Sequence, residues 1–378
     1  MSANLNVRPT RLEARVYRAP VATPVRTSFG TMHDRPAVIV RVEDAEGAVG
    51  WGETWCNFPS LGAAYRARLI ERIVAPLVLD RDWVSPAAAY EHLTGALRIL
   101  AIQAGEPGPI AAAIAGVDIA LWDLAARRAG EPLWRLLGGA GDTVAAYASG
   151  LPPEGPVPLA RAARDAGHRA FKLKIGFGRD RDLANLAALR EALGDVPLFV
   201  DANQRWNLDE ARAMADALAP FAPGWLEEPM PADSPDAAWQ ALAAATPIPL
   251  AGGENLLADD ELAHALALGA LRVVQPDAAK RGGITGGLAI ARRIRAAGAR
   301  FCPHYLGGGI GLVASAHLLA AAGGDGLLEV DVQDNPLRDG LADALSPVRD
   351  GMLTLGDRPG LGVEPRLTAE TYRVTGDN

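Results

Sequence analysis

Between residues 10 and 55 apolar and polar positions alternate: TRLEARVYRAPV, then AVIVRV, a turn at Asp44 to Gly47, then AVGWGET. A period of two sends successive side chains to opposite faces, so this stretch predicts a small antiparallel sheet. The period then changes. AAYRARLIERIVAPLV, PAAAYEHLTGALRIL and PIAAAIAGVDIALWDLAARRAG carry their apolar residues on a helical repeat, the last stopped by Gly130 and Pro132. A sheet followed by three helices makes residues 1–140 an α+β domain.

Beyond it, short apolar runs are separated by Ala-rich helical stretches: VAAYASG, AFKLKIG, PLFVDANQ, GWLEEP, IPLAGGE, LRVVQPD, RFCPH and LLEVDV. The polar residues closing these runs are Lys174, Asp201, Glu227, Glu254, Asp277, His304 and Glu329, at intervals of 27, 26, 27, 23, 27 and 25 residues. One strand, one helix and two short loops fill such an interval. Residues 141–349 are therefore predicted to form an α/β domain, a (β/α) barrel of the triosephosphate-isomerase type, in which C-terminal strand ends meet on one rim. Residues 350–378, with the turn-rich DGMLTLGDRPGLGVEPR, form a segment that returns to the first domain.

The barrel pattern gives the polar residues a common location, and their types suggest chemistry. Asp201, Glu227 and Glu254 would crowd three like charges on one rim unless a cation neutralised them, and all-oxygen ligation suits one Mg²⁺, with Mn²⁺ as the alternative. Each carboxylate alone would read as a salt bridge or helix cap. Glu228 points the other way along an extended strand and takes a supporting or structural role. Asn203 shares a face with Asp201, as a substrate contact or simply a turn residue. Of 37 basic residues only Lys172, Lys174 and Lys280 are lysine. A lysine can be tuned to accept a proton where an arginine cannot, and Lys172 and Lys174, on one face, should depress each other's pKa. Asp277 stands where it can orient His304, a second acid/base group. Lys280, past its strand in KRGG, reads as structural or anion-neutralising, or as a participant in the chemistry.

Other features are blander. Asp118 and Asp123 lie in an apolar helix and read as domain packing. GGGIG, residues 307–311, lacks the spacing of a nucleotide loop and reads as a tight βα loop whose N–H groups face an anionic substrate. TSFGTMHD, with His33, reads as a plain surface loop or as a mobile loop covering the barrel mouth, and Phe29, Met32, Trp55 and Phe58 as a partly apolar lid or an interface between the domains. The remaining histidines read as solvated or packed. A formal charge of −8 argues against a nucleic-acid partner. No apolar run approaches the roughly 20 residues of a membrane span, and the N-terminus lacks a signal-peptide pattern, which makes cytoplasmic the default expectation. Cys56 and Cys302 are expected to be free thiols.

GWGET, DIALWDLAARRAGEPLWRLLGG, FKLKIG, VDANQRW, WLEEP, GGEN, QPDAAKRGG and PHYLGGGIG together resemble the enolase superfamily, specifically its mandelate racemase-like branch, over essentially the whole chain. The resemblance implies an enolase-like modified barrel with an N-terminal capping domain, metal ligands at Asp201, Glu227 and Glu254, and a base at Lys174 supported by Lys172. It also implies an opposing His304 and Asp277 dyad, and Glu329 as the acid that hydrogen-bonds the substrate carboxylate. Asp277 stands where the muconate-lactonizing-like branch carries lysine, which disfavours a racemase or cycloisomerase with lysines on both sides. The implied activity is Mg²⁺-dependent removal of the proton beside a small-molecule carboxylate, with dehydration of an acid sugar to a 2-keto acid favoured. Racemisation or epimerisation is the alternative, and a non-catalytic ligand-binding barrel the alternative of another class. A homo-oligomer is expected.

Overall fold

The computed structural model describes residues 5–340, 347–366 and 371–374. The alternating N-terminal pattern becomes an antiparallel sheet of β1 (Pro9–Arg26), β2 (Thr31–Asp44) and β3 (Val49–Thr54), in that order. Its central strand is buried on both faces. Val38, Val40 and Val42 pack with the helices of the same domain, while Ala37 and Ile39 pack with Ile284, Ile310 and Val313 of the barrel. Those domain helices are α1 (Gly62–Leu69), α2 (Ala75–Val78), α3 (Pro86–Ala104), α4 (Pro107–Ala129) and α5 (Leu133–Leu136). Helix α4 lies directly on β3 because two glycines permit it: a Cβ on Gly50 would fall 2.1 Å from the Ala120 carbonyl oxygen, and one on Gly52 2.1 Å from that of Gly116. This contact accounts for the glycines in GWGET. Helix α4 is also the one described helix long and apolar enough to cross a membrane, but 89% of its apolar window is buried, as in a core helix.

The eight apolar runs become the parallel strands β4 (Thr143–Leu151), β5 (Phe171–Lys174), β6 (Leu198–Asp201), β7 (Leu226–Glu227), β8 (Leu250–Gly252), β9 (Leu271–Val274), β10 (Arg300–Phe301) and β11 (Leu328–Asp331). They lie in the order β10-β9-β8-β7-β6-β5-β4-β11 and curl into a barrel. Strands β10 and β11 come together where Gly326 lies against the Phe301 carbonyl and the Leu327 N–H faces Cys302 Sγ at 3.3 Å. Helices α6 (Val157–Asp165), α7 (Arg179–Leu193), α8 (Leu208–Leu218), α9 (Asp236–Ala245), α10 (Asp259–Leu268), α11 (Gly283–Ala296) and α12 (Gly309–Ala322) follow β4 to β10 in turn, and the short α13 (Pro336–Asp339) follows β11. After the barrel, β12 (Met352–Thr354) pairs antiparallel with β4. The chain then meets the first domain, where Leu133 donates to the Gly360 carbonyl and Val374 to that of Val16.

Carboxylates of the first domain tie it to the barrel and to the segment that follows the barrel. Asp118 accepts from the N–H groups of Ile284 (2.7 Å) and Thr285 (2.9 Å) and from Thr285 Oγ1 (2.7 Å), at the start of α11. Asp123 accepts from the N–H groups of Trp51 and Leu361. Glu53, the acid of GWGET, accepts from the N–H groups of Gly308 and Gly311 at the start of α12. Unpaired N–H groups and the positive helix end make each N-terminus a seat for an anion. In GGGIG that anion is Glu53, so the N–H groups expected to face a substrate hold the capping domain instead.

Candidate active site

Strand periodicity builds the site in two layers. Tyr147, Ala170, Phe199, Trp225, Ala251, Val273 and Cys302, with Leu327 against them, form an apolar plug. Phe199 and Trp225 stack at 3.5 Å, with Tyr147 edge-on to both. Two residues further along the eight segments stand Ser149, Lys172, Asp201, Glu227, Gly253, Gln275, His304 and Glu329. Side chains two apart share a face of a strand, so the polar set lies above the plug on the barrel rim. Glu254 follows its layer position by one residue, because Gly253 turns the chain at φ +131°.

Lys172 Nζ, fully buried, is 2.6 Å from Glu227 Oε1 and 2.8 Å from Glu329 Oε1, and lies 5.5 Å over the Tyr147 ring. Lys174 donates to Asp201 Oδ2 at 2.5 Å and to Asn203 Oδ1 at 3.0 Å. His304 Nδ1 meets Asp277 Oδ2 at 2.8 Å, and its Nε2 is 2.5 Å from Glu254 Oε2. Asn203 combines both of its readings: it turns the chain at φ +44°, and its side chain reaches Lys174. The site residues named from sequence are thus in contact through three clusters, centred on Lys172, Lys174 and His304.

The charges differ from the sequence expectation. Burial works against the ammonium of Lys172, but Glu227 and Glu329 outweigh it and hold its pKa well above the ordinary lysine value. Burial also opposes charge on Lys174, and Lys172 repels its proton as foreseen, yet Asp201 with Glu227 and Glu329 outweighs both and the net shift is upward. His304 is likewise held protonated against burial, by Glu254 first, then by Glu329 and Asp277. Glu228 departs from its expectation too. Strand β7 ends at Glu227, and Glu228 has φ +40°, so the alternation that would turn it away no longer applies. It is buried, accepts from Asn255 Nδ2 at 2.7 Å, and its pKa is pushed far up by burial and then by Glu254 and Asp201.

As arranged, each carboxylate is drawn onto a cation or an amide, and among the described residues no three Asp, Glu, His or Cys groups converge on one point. The donor chemistry nevertheless fits a divalent ion. Asp201, Glu227, Glu228, Glu254, Asp277 and Glu329 stand against Lys172, Lys174, Lys280 and the His304 imidazolium. The carboxylates outnumber these cations, and burial together with their mutual repulsion raises the pKa of Glu227 to about 7 and that of Glu228 well above the usual carboxylate range, a strain that a hard dication on carboxylate oxygens would relieve. Asp201 and Glu227 face each other across paired strands β6 and β7, with Glu254 following β8.

The cavity above is about 260 Å³ and is walled by Lys174, Asn203, Glu254, Lys280 and His304 from the barrel and by Phe29, Trp55 and Phe58 from the first domain. Of the apolar lid set, Met32 is buried in β2 and does not wall it. The mouth loop is shorter than TSFGTMHD, since β2 begins at Thr31; His33 is exposed on that strand. The tip docks through Ser28 Oγ, which lies 2.9 and 2.8 Å from the carbonyl oxygens of Ala202 and Asn203. Sequence reasoning missed Ser149, which donates to Glu329, and Gln275 and Trp225, which both donate to Glu227 Oε2. Ser149 closes the first apolar run 25 residues before Lys174, so the same interval signal pointed to it.

Fold and rim together define a barrel enzyme of the enolase type. The chain belongs to the mandelate racemase/muconate lactonizing enzyme family: residues 11–138 match the Mandelate racemase / muconate lactonizing enzyme N-terminal domain, and residues 157–369 the Enolase C-terminal domain-like family. It is 32% identical to D-galactarolactone cycloisomerase of Agrobacterium fabrum, covering 92% of this chain and 94% of that protein. It is 31% identical to arabinonate dehydratase of Saccharolobus solfataricus, covering 87% and 88%. A crystal structure of a mandelate racemase/muconate lactonizing enzyme from Bordetella bronchiseptica RB50 is 55% identical and superposes with a TM-score of 0.91 over 96% of this chain and 98% of that one. A racemase from Streptomyces coelicolor A3(2) with bound magnesium is 31% identical, with a TM-score of 0.87 over 97% and 100%. The proteins to which this chain is similar thus include both a cycloisomerase and a dehydratase of acid sugars.

Proposed function

We propose that the chain catalyses β-elimination on an acid sugar, with Lys174 as the base at the α-carbon and His304 as the acid at the β-oxygen. The observation that carries this reading is that Lys174 and His304, from β5 and the end of β10, wall one cavity although their strands stand five places apart in the sheet. Asp201, Glu227 and Glu254 would hold Mg²⁺, which supplies neutralisation of the substrate carboxylate and of the negative charge that grows on it.

The residues then divide the work. Asp201, once engaged in ligation, no longer holds the Lys174 proton, and the neighbouring Lys172 ammonium favours the neutral amine. Lys174 takes the α-proton, and the electron pair moves into the carboxylate as an enediolate. Lys172, fixed by Glu329, donates to the oxygen that gains charge. The pair then returns to form the Cα–Cβ double bond while the Cβ–O bond breaks, and His304 gives its Nε2 proton to the leaving oxygen. The resulting enol becomes a 2-keto acid. A leaving hydroxyl makes this a dehydration; a leaving ring oxygen makes it ring opening, an outcome that the cycloisomerase relative supports. Without a β-leaving group, His304 returns a proton to the opposite face and the outcome is epimerisation. Incubating aldonates, aldarates and their lactones with the enzyme and Mg²⁺ tests the proposal. It expects 2-keto acid from at least one; stereoisomer interconversion alone would replace it with the epimerase reading.

A further inference from the structure

The third lysine is unused by this mechanism. Lys280 is buried, and its Nζ lies 2.9 Å from Asn255 Oδ1, 3.9 Å from Glu254 Oε1 and 4.7 Å from the Trp55 ring centroid. An ammonium has three N–H bonds, and one hydrogen bond plus one longer ion pair leave donor capacity over. Trp55 walls the same cavity, and its indole N–H is buried without a partner. A buried donor left unpaired is costly, and one beside a cavity marks a place for an acceptor supplied from outside.

Both groups are held by backbone. Asp277 Oδ1 accepts from the N–H groups of Ala279 (2.8 Å) and Lys280 (3.1 Å), fixing the turn that carries Lys280. The Trp55 backbone N–H donates to the Ala279 carbonyl at 3.1 Å, tying the capping segment to the same turn. Lys172, Glu227 and Glu329 do not wall the cavity and lie beneath it, whereas Lys280 and Trp55 form part of its wall. The site thus has one set of donors for the reacting carboxylate at the floor and a second set along the wall.

We infer that Lys280 and Trp55 bind a second anionic group at the far end of the substrate, so that the acid sugar is a diacid. The inference deepens the proposed function and rests on it for the identity of the reacting end. The test has two arms, both with Mg²⁺ present and with folding of each variant checked by thermal melting. In the first, kcat/KM is compared for an aldaric acid and the aldonic acid of the same configuration. The wild type favours the diacid; K280M raises KM for it about 10- to 100-fold, a loss at least about threefold larger than the loss on the monoacid. W55F, which removes the indole N–H together with one ring of the indole, weakens the diacid by about 3- to 10-fold, while K280R, which keeps the charge, retains part of the preference. The second arm measures binding of glutarate against pentanoate by calorimetry, with no turnover required. Selective, Lys280-dependent glutarate binding without turnover of any acid would sustain this inference while removing the proposed reaction. Equal losses on both ligands in K280M would overturn it and leave Lys280 as a neutraliser of Glu254.

Discussion

His317 is the most direct handle on how the fold holds the site together under acid. It lies on α12, almost fully buried, and its Nδ1 accepts from the Trp134 N–H at 2.9 Å while Nε2 faces the Leu361 carbonyl at 3.2 Å. One ring nitrogen accepts and the other donates, which is the hydrogen-bonding pattern of a neutral imidazole. Burial pushes its pKa down from 6.5 to about 4. The sign follows: between those values the unfolded chain binds the proton and the folded chain does not, so stability is full above pH 6.5 and is lost as pH falls toward 4. Linkage with these two values gives a loss of about 2 kcal/mol between pH 7 and pH 5 from this residue alone. Urea unfolding at both pH values, on the wild type and on H317Q, isolates it. Glutamine can keep one acceptor and one donor but has no charge to gain, so the pH-dependent loss in the variant should be smaller by about 2 kcal/mol. An identical pH dependence in the two proteins would refute the reasoning.

Three further outcomes follow from the contacts. D118A strands the N–H groups of Ile284 and Thr285 at the start of α11 and should cost about 3–5 kcal/mol in urea unfolding; a loss below about 1 kcal/mol would show that the cap does not carry the domain contact. D277N replaces the charged partner of His304 Nδ1 and should lower kcat about 10- to 100-fold with little change in KM, measured on whichever acid sugar is turned over. Chelation with EDTA should abolish turnover and lower the melting temperature, and Mg²⁺ at about 100 times its Kd should restore both, adding about 2.7 kcal/mol of stability.

What was legible in the sequence was what repeats. The interval of about 25 residues exposed the strand ends because each βα unit has nearly constant length, and it brought Lys174, Asp201, Glu227 and His304 to one rim before any coordinates. What lay outside that period was harder. Glu53 and the GGGIG segment are more than 250 residues apart, so nothing local shows that one caps the other. Glu228 escaped its alternation because β7 is two residues long and the next residue takes a positive φ. The lysine pair was read from mutual repulsion alone, whereas Asp201, Glu227 and Glu329 set the net charge of both ammonium groups. Register faults and many-body electrostatics are properties of the assembled site.

Exchange of the substrate α-proton with D₂O, followed by ¹H NMR in the presence of Mg²⁺, tests the division of labour between Lys174 and His304 most directly. Across acid sugars the wild type should exchange and eliminate, H304N should exchange without forming 2-keto acid, and K174M should do neither. Exchange that survives in K174M, or is absent from the wild type on every acid tried, would contradict the account.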